Sequence, residues 1–505
     1  MVSALLPEEG LWATVERRAA ATPGAEMLVD SGGRRMTFAE YHRAAEAMAA
    51  GLVGLGVRAG DVVAWELPTW IETIVLAAAL SRIGAVQLPI IAIYRDREVT
   101  HCCREAGARF LLTPEVFRGY DFAAMGGRVA GELPGLTHLV VGPGAFPAGD
   151  AAALADAAPA PARDETRWLC YTSGTTSAPK GARHSDLALS AVAGAFATRS
   201  EIEPGDRYAL VFPFPHVGGV VLLYSTLRSG STSLLDEAFD PQSTVEFLAR
   251  EDVTHAGTGT PFHMAYLAAQ RARPDVPLFP RLKCCPGGGA PKPPTIHAQV
   301  KAELGGAGVV SSWGLTEAPL LTVSGLHDPD DRLARCEGRP VEGVELRVVD
   351  GEIQAIGPQV MLGYVDASLD AEAFTEDGWY RTGDLGTVDA EGFVTITGRL
   401  KDVIIRNGEN VSAKEVEDLL FEHDAVADVA VIGLPDERTG ERVVAVVALA
   451  AGASLELDAV RDHLRARGLR NQSLPEQLEI IDVVPRNPSG KITKQVLKDR
   501  LAQRG

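Results

Sequence analysis

Apolar residues along this chain alternate between the spacing of amphipathic helices and that of short buried strands. A helix is predicted to begin at Thr37, because Thr37 and Glu40 form the sequence signature of a capping box ahead of a periodic apolar run. A strand over 61–67, a helix over 71–83 and a strand over 85–90 are predicted next. Strands that alternate with helices favour a parallel sheet covered by helices on both faces.

The alternation returns in the middle of the chain, where polar or glycine-rich segments follow the predicted strands. The strand predicted over 208–212 leads to Phe214-Pro-His216, and short strands at 284–285 and 309–310 lead to Gly287-Gly-Gly-Ala290 and Trp313-Gly-Leu-Thr-Glu317. Segments at the carboxyl ends of parallel strands meet at one edge of a sheet. We therefore expect one shared crevice there.

After residue 335 the pattern changes to turns and short strands. Asp350-Gly351 predicts a two-residue hairpin, and a second hairpin is predicted to turn near 389–392. We place a domain boundary within 398–402, which gives an N-terminal domain over 1–400, with a β-rich subdomain over 335–400, and a C-terminal domain over 401–505.

The C-terminal domain reads as mixed α and β. A second capping box at Ser412 and Glu415 predicts a helix to about residue 421. The further predictions are strands over 427–434, 442–450 and 478–484, a helix over 457–466 and a short helix at the end of the chain.

Length and charge exclude several classes of protein. A chain of 505 residues is too long for one compact core. A net charge of −19 argues against general binding to nucleic acid or anionic membranes. The six cysteines show no CxxC spacing, no signal peptide is apparent, and no apolar run is long enough for a membrane span. These features predict a reduced, cytoplasmic protein without structural zinc.

A predicted buried strand over 168–171 opens into a segment rich in hydroxyl side chains and glycine, which ends in a cation. Its candidate binding residues are Thr172, Ser173, Gly174, Thr175, Thr176 and Lys180. Hydroxyl and amide donors without competing acceptors suit a polyanion such as a triphosphate. The pattern differs from a Walker P-loop because Gly181 follows the lysine. The alternative is a solvated linker rich in serine and threonine.

Residues 171–181 resemble the phosphate-binding motif of the adenylate-forming enzymes, Tyr-Thr-Ser-Gly-Thr-Thr-Gly-x-Pro-Lys-Gly, with Ser177 as the single departure. This superfamily includes acyl-CoA synthetases, aryl-acid ligases, peptide-synthetase adenylation domains and luciferases. Further motifs resemble it over nearly the whole chain. The resemblance implies an α/β fold: a large N-terminal domain of layered αβα sheets with a small β-barrel subdomain, and a smaller, mobile α+β C-terminal domain.

The resemblance also implies which residues bind the nucleotide. Gly288, Gly289 and Ala290 would form the adenine-side loop. In the segment that resembles Tyr-Gly-x-Thr-Glu, Trp313 and Gly314 would lie on the adenine, Thr316 would reach the α-phosphate and Glu317 would bind magnesium (Mg²⁺). Tryptophan keeps a flat apolar face but lacks the tyrosine hydroxyl. The glycine segment alone is also compatible with a simple turn, and Glu317 alone with a solvated surface residue.

Four further residues are assigned by resemblance. Asp384 would accept hydrogen bonds from the ribose hydroxyls, and Arg399 would contact the nucleotide. Lys401 would be the hinge between the domains, and Lys491, in Pro488-Ser-Gly-Lys, would be the catalytic lysine that binds both the carboxylate and the α-phosphate. Outside this context a C-terminal lysine is an ordinary solvated residue.

The same resemblance places His216, Val217, Gly218 and Gly287 at the acyl pocket and Gly408 beside the path of the thiol. A packed structural histidine is the alternative for His216. In neither interpretation is it a general base, because the nucleophiles are an ionised carboxylate and a thiol.

These residues together predict an ATP-dependent acyl-CoA synthetase that uses ATP, Mg²⁺ and coenzyme A and forms an acyl adenylate first. Gln87-Leu-Pro-Ile and Tyr94-Arg-Asp-Arg-Glu98 resemble ligases for cyclohexanecarboxylate-type and other medium-chain or alicyclic acids, and an aromatic acid is also left open. The alternatives are an acyl-AMP or aryl-AMP ligase that loads a separate carrier protein, and an inactive nucleotide-binding or acyl-binding paralogue. A homodimer is left open.

Overall fold

The computed structural model describes residues 5–154, 164–172, 179–289, 292–487 and 491–502. It is a mixed α/β protein with a large N-terminal and a small C-terminal domain, as the sequence predicts. Separate apolar clusters form the core of each: the main cluster draws on residues 11–394, and two smaller ones draw on residues 404–497.

The first sheet of the N-terminal domain contains the strand that leads into the hydroxyl-rich segment. Its strands are parallel except for the last, antiparallel one at the edge. In spatial order they are Thr137–Val140, Phe110–Thr113, Val62–Trp65, Val86–Pro89, Thr166–Tyr171 and Gly181–Ser185.

The second sheet is formed by Arg207–Leu210, Thr232–Leu235, Glu26–Asp30 and Arg35–Thr37. Parallel bridges from His255 to Tyr208 and to Cys284 connect it to a third sheet. The strands of this third sheet are Cys285–Gly287, Val309–Trp313, Thr322–Val323 and Arg339–Pro340. A separate two-stranded sheet pairs Val116–Phe117 with Tyr120–Asp121.

Helices cover these sheets. The predicted capping box is present at the start of Phe38–Gly54, and the predicted helix over 71–83 has the bounds Ile71–Ile83, with a left-handed Gly84 at its end. Nearly every residue of Ile71–Ile83 is buried, so this helix lies within the core. The other helices of this domain are Leu11–Ala21, Asp96–Ala106, Phe122–Glu132, Asp186–Arg199, Val217–Ser229, Ser243–Arg250, Thr260–Arg271, Pro294–Glu303, Asp330–Arg335 and Asp370–Ala373.

The β-rich region is a four-stranded antiparallel sheet, formed by Glu345–Val349, Glu352–Ile356, Tyr380–Val388 and Val394–Arg399. Asp350 and Gly351 form the predicted hairpin turn, with φ of 52° and 83°. Val394 exchanges backbone hydrogen bonds with Glu337 and Gly338, so the sheet curls back towards the strand Arg339–Pro340.

The C-terminal domain is one five-stranded sheet with helices on both faces. Its strands are Val403–Arg406, Glu409–Ser412, Val426–Asp436, Gly440–Leu449 and Gln477–Ile481, and its helices are Ala413–Leu420, Leu457–Ala466 and Lys494–Ala502. Only half of the predicted capping box forms: Ser412 Oγ accepts from the Glu415 amide but donates to the Thr397 carbonyl. Ser412 is also the last residue of a strand and pairs with Val403. In a complete capping box the Glu415 side chain would in addition accept from the Ser412 amide.

All six cysteines are buried and reduced. Burial raises the pKa of the Cys103 and Cys170 thiols to about 12, and it raises the pKa values of Cys102, Cys284 and Cys285 further. Among the helices that the structure describes, none combines the length and the apolar character needed to cross a bilayer.

Glu66 is an unusual core residue at the end of the strand Val62–Trp65. Its side chain is 0% exposed, and within the described part of the chain neither carboxylate oxygen has a hydrogen-bond partner. Burial raises its pKa well above the ordinary value, although Arg95 acts in the opposite direction. Burial of the Glu66 carboxyl therefore favours its protonated form in the folded protein.

Because its folded-state pKa lies above the unfolded-state value, Glu66 stabilises the fold relatively less as pH rises above about 4.3. We expect the free energy of unfolding of Glu66→Gln, which cannot ionise, to increase relative to that of the unchanged protein as pH rises from 4 to 8. Urea unfolding across this pH range measures the effect. The exposed control Glu16→Gln should shift stability by less than about 0.5 kcal/mol. An unchanged pH slope in Glu66→Gln would show that Glu66 is ionised in the fold.

Candidate active site

The segments predicted to line a crevice follow strands that run in the same direction. Arg207–Leu210, Cys285–Gly287 and Val309–Trp313 are connected in parallel, and their carboxyl ends lead to the segments of His216, Gly288 and Thr316. The His184 Nε2 atom lies 2.7 Å from the Thr316 carbonyl oxygen, so the first sheet is held against this edge.

The two ends of the hydroxyl-rich segment, Thr172 and Lys180, are hydrogen-bonded to each other. The Thr172 amide donates to the Lys180 carbonyl at 2.9 Å, and the Lys180 amide donates to Thr172 Oγ1 at 3.3 Å. Tyr94 also donates to the Thr172 carbonyl, at 2.8 Å. The predicted binding residues between these ends, Ser173, Gly174, Thr175 and Thr176, lie outside the described residues, as do Ser177 and Ala290.

Tyr364 connects the predicted phosphate lysine with the predicted magnesium ligand. Its hydroxyl donates to Glu317 Oε1 at 2.9 Å, and the Lys180 ammonium lies 5.6 Å from the centre of its ring. Burial raises the pKa of the Tyr364 hydroxyl, which therefore stays a donor. The contact orients the Glu317 carboxylate beside a cation.

Glu317 fits a magnesium ion that is bound together with a nucleotide. Within the described ranges no group of three His, Cys, Asp or Glu side chains could hold a metal alone. Mg²⁺ sites that use one carboxylate plus substrate phosphates need no such group. The single hydrogen bond from Tyr364 leaves Glu317 with acceptor capacity for a cation.

The glycine segment lies flat against the neighbouring strand. Ser312 Oγ donates to the Gly287 carbonyl at 3.0 Å. A Cβ atom on Gly288 would lie 2.8 Å from Ser312 Oγ, and one on Gly314 would lie 2.2 Å from the Leu320 amide nitrogen. Only glycine fits at these two positions, because the glycine segment packs closely against Ser312 and Gly314 packs closely against Leu320.

Asp384 lies at the centre of the predicted sugar site. Trp313 Nε1 donates to its Oδ2 atom at 2.7 Å, and Arg399, its cross-strand neighbour, places Nε 2.7 Å from Oδ1. The Arg399 N–H is not directed along that contact, so Oδ1 has no hydrogen-bond partner among the described residues. Asp384 is 1% exposed, which makes Oδ1 a buried acceptor that a ligand hydroxyl would satisfy.

His216 is the N-cap of the helix Val217–Ser229, a role that the sequence did not reveal. Its Nδ1 atom accepts from the Gly218 amide at 3.1 Å, so the ring proton of the neutral form is on Nε2. Burial and, to a smaller extent, the charge of Lys491 lower the pKa of His216 to about 3. The ring is thus a neutral N–H donor throughout the physiological range.

Lys491 reaches this crevice from the C-terminal domain. A Cβ atom on Gly289 would lie 3.8 Å from Lys491 Cε. Burial is the main cause that lowers the pKa of Lys491 to about 8, and Arg399 adds to it, whereas Glu317 and Asp384 act in the opposite direction. The structure therefore brings Lys491 of the C-terminal domain close to four predicted residues of the N-terminal domain. These are Gly289, Glu317, Asp384 and Arg399.

The other two candidates near the C-terminal domain, Lys401 and Gly408, lie in turns on either side of the strand Val403–Arg406. Lys401 lies in the 3-10 turn Leu400–Asp402, directly after the last strand of the β-rich sheet, and its charge also lowers the pKa of Lys491. Gly408 is exposed in the two-residue turn that it forms with Asn407, with φ of 77° and 52°. A Cβ atom on Gly408 would meet nothing within 4 Å, so this turn is outside the crevice.

A mostly apolar cavity of about 270 Å³ extends beside the His216 segment. Phe212 and Pro213 form part of its wall, and Arg486 and Asn487 of the C-terminal domain form another part. Arg118 also lines it. Both domains therefore contribute to one cavity, a few residues from His216 and from Lys491.

The model of the AMP-binding enzyme family matches residues 15–365, and that of the AMP-binding enzyme C-terminal domain matches residues 415–491. The medium-chain fatty-acid–CoA ligase of Escherichia coli K12 is 30% identical over 98% of this chain and 92% of its own length. The 3-[(3aS,4S,7aS)-7a-methyl-1,5-dioxo-octahydro-1H-inden-4-yl]propanoyl:CoA ligase of Mycobacterium tuberculosis H37Rv is 35% identical over 92% of this chain and 94% of its own. ATP-bound MatB from Rhodopseudomonas palustris superimposes with a TM-score of 0.85 and 28% identity over 97% of this chain and 98% of that one.

The chain belongs to the AMP-binding enzyme family. The predicted membership of the adenylate-forming superfamily is confirmed, and so is the predicted class of enzyme, an AMP-forming acid–thiol ligase. The acyl-CoA ligases of this family use ATP, Mg²⁺ and coenzyme A, as predicted.

The pKa of Lys491 can be measured without any substrate. In the free protein we expect its acetylation by a limiting amount of acetic anhydride to be half-complete near pH 8, as its lowered pKa requires. Peptide mass spectrometry against an added lysine peptide, whose amine titrates near pH 10.4, gives the comparison. Removal of the Arg399 charge by Arg399→Gln should move the midpoint upward. A midpoint near pH 10.4 would mean that Lys491 is not enclosed by the N-terminal domain.

Proposed function

We propose that this AMP-binding enzyme converts a medium-chain or alicyclic carboxylic acid into its CoA thioester through an acyl adenylate. One observation carries the proposal: the Lys491 ammonium, which the C-terminal domain supplies, lies among Gly289, His216, Glu317 and Asp384 of the N-terminal domain. A cation in such a place serves a reaction between two anions.

In the first half-reaction a carboxylate oxygen of the acid attacks the α-phosphorus of ATP, and the bond to pyrophosphate breaks. Lys491 would bind the carboxylate and an α-phosphate oxygen together, and Thr316 would donate to the same phosphate. The Nε2–H of His216 would orient the carboxylate from the other side. Fixed donors of this kind lower the barrier because they require no reorganisation when charge shifts, and one donor contributes about 3 kcal/mol.

The nucleotide is proposed to lie between Trp313 and the glycine segment. Trp313 and Gly314 would contact one face of the adenine and Gly288, Gly289 and Ala290 the other. Asp384 would accept from the ribose and Arg399 would contact the nucleotide, while Lys180 and the segment Thr172, Ser173, Gly174, Thr175 and Thr176 would bind the phosphates. Glu317 would hold Mg²⁺, which reduces the negative charge that the carboxylate meets.

For the second half-reaction we propose that the C-terminal domain turns about Lys401, which removes Lys491 from the crevice and brings Gly408 towards it. The thiol of coenzyme A then attacks the acyl carbon, the bond to the phosphate oxygen breaks, and AMP leaves. The N-terminal part of the cavity wall, which includes Arg118, stays in place during this turn and is a suitable route for the thiol arm. The proposed domain limits, 1–400 and 401–505, follow from this hinge.

The proposed acid rests on the relatives. Two of them are named for a medium-chain fatty acid and for a propanoate attached to a fused bicyclic ring. Val217, Gly218 and Gly287 would line the acyl pocket beside His216. Because a relative that is an aryl-AMP ligase loading a carrier also matches, loading of a carrier protein is the second candidate.

We propose a cytoplasmic location, which the six reduced, buried cysteines support. The homodimer left open by the sequence stays a prediction that light scattering tests.

Pyrophosphate release tests the function directly. With ATP, Mg²⁺ and a panel of linear, alicyclic and aromatic acids, we expect acid-dependent release for medium-chain or alicyclic members. Formation of the thioester with coenzyme A, but not with phosphopantetheinylated carrier proteins, would identify the acceptor. Nucleotide binding without release for any acid would contradict the proposal.

The half-reactions should separate by mutation. Lys491→Ala should lower acid-dependent pyrophosphate release by at least about 100-fold, equivalent to 2.7 kcal/mol, while supplied acyl adenylate and coenzyme A still give thioester. Gly408→Leu should do the reverse, because a branched side chain would obstruct the thiol's path after the rotation.

Two controls match these variants. Lys498→Ala removes the same charge elsewhere on the domain and should leave both steps intact. Gly351→Leu places leucine in a turn of nearly the same φ, 83° against 77°, and so introduces the same backbone strain outside the site. If Lys491→Ala slows both steps equally, or Gly351→Leu acts like Gly408→Leu, the rotation does not explain the reaction.

A further inference from the structure

The indole of Trp313 makes a contact that stacking on a base does not require. Its N–H donates to Asp384 Oδ2 at 2.7 Å, and both side chains are almost completely buried, at 7% and 1% exposure. A buried hydrogen bond to a carboxylate is strong and directional. Trp313 therefore fixes the rotation of the Asp384 carboxylate.

The rotation matters because a second donor competes for the same carboxylate. Arg399 lies opposite Asp384 in the neighbouring strand, with Nε 2.7 Å from Oδ1 and Nη2 3.5 Å from Oδ2. Guanidinium groups favour a two-bond fork with a carboxylate, but here neither contact is a well-aligned short bond. The shorter and better-aligned bond from Trp313 to Oδ2 holds the carboxylate in this orientation relative to Arg399.

Asp384 Oδ1 is buried and, although Arg399 Nε lies 2.7 Å from it, has no hydrogen-bond partner in the described part of the chain. A hydroxyl of a bound ligand can donate to such an acceptor. The backbone around it is also fixed, since the Asp384 amide donates to Thr382 Oγ1 and Thr382 in turn donates to the Ile353 carbonyl. The acceptor thus has a set position before any ligand arrives.

We propose that Trp313 is a positioning residue for sugar recognition: its N–H holds the Asp384 carboxylate with Oδ1 available to the ribose diol, and the enzyme thereby prefers ribonucleotides to deoxyribonucleotides. The inference rests on the proposed nucleotide site. The inference goes beyond that site because it gives Trp313 a second role. In addition to its proposed contact with the adenine base, Trp313 affects how the sugar is recognised.

The experiment is calorimetric binding of ATP, 2′-deoxyATP and 3′-deoxyATP with Mg²⁺ in the absence of acid. Trp313→Phe keeps a flat ring but lacks the N–H. We expect this variant to lower the preference for ATP over at least one deoxy analogue by fivefold or more, with less than twofold change in the affinity for that analogue. Asp384→Asn should lower the same preference. The double variant should lose no more than Asp384→Asn, since both changes remove one interaction.

A second replacement protects the test from a folding defect. L-3-benzothienylalanine at position 313 keeps the shape of the indole and replaces only the N–H by sulfur, so it should act like Trp313→Phe. Trp168→Phe is the matched control, because Trp168 also donates an indole N–H to a buried carboxylate, that of Asp186, at 2.9 Å. It should lower the melting temperature without a change in sugar preference.

The possible failures are distinct. If the unchanged protein binds neither ATP nor its deoxy analogues, the proposed nucleotide site is wrong. If it binds ATP but the replacements at position 313 weaken all three nucleotides equally, Trp313 acts only on the base and the inference is overturned. The same holds if Asp384→Asn leaves the sugar preference unchanged.

Discussion

Two anions have to meet in this protein, although its own net charge is −19. Bulk electrostatics oppose such an encounter, so the cations must be concentrated where the acid and the phosphates are proposed to bind. The structure does this with Lys180, Arg399, Lys401 and Lys491, of which the last is the most enclosed. The lowered pKa of Lys491 reports the cost of keeping an ammonium away from water beside other cations.

The sheet topology makes this concentration of charge feasible. Parallel strands bring the His216, Gly288 and Thr316 segments to one edge, and the strand pair of Asp384 and Arg399 adds a carboxylate and a guanidinium from the β-rich region. The proposed C-terminal domain, which carries Lys491, begins at residue 401, close to Arg399 in the sequence. With the proposed hinge at Lys401, a small change in the backbone at 400–402 would move one cation a long way while the carboxylates and the glycines stay in place.

Local features were predictable from the sequence, because their causes lie within a few residues. The Thr37–Glu40 capping box, the helix Ile71–Ile83 and the Asp350-Gly351 turn depend on neighbouring side chains and φ angles, and all three are confirmed. The resemblance supplied the candidate site residues as a set.

Contacts between distant segments were not predictable. Trp313 and Asp384 are 71 positions apart, and Glu317 and Tyr364 are 47 apart. Nothing near Tyr364 in the sequence signals that its hydroxyl would orient a carboxylate. The buried carboxyl of Glu66 was missed for a local reason. Its segment has the apolar pattern of a buried strand, and a single carboxyl within that pattern does not change the strand prediction.

The burial of the cysteines has a chemical consequence for an enzyme of this kind. An acyl adenylate is an electrophile that any accessible thiolate could attack, and Cys285 is only two residues from Gly287 in the segment beside the proposed adenylate. Since burial raises the pKa values of Cys284 and Cys285, both stay thiols at neutral pH and are shielded from solvent. The fold thus protects the enzyme from acylating itself, and the acyl group remains for the thiol that arrives from outside.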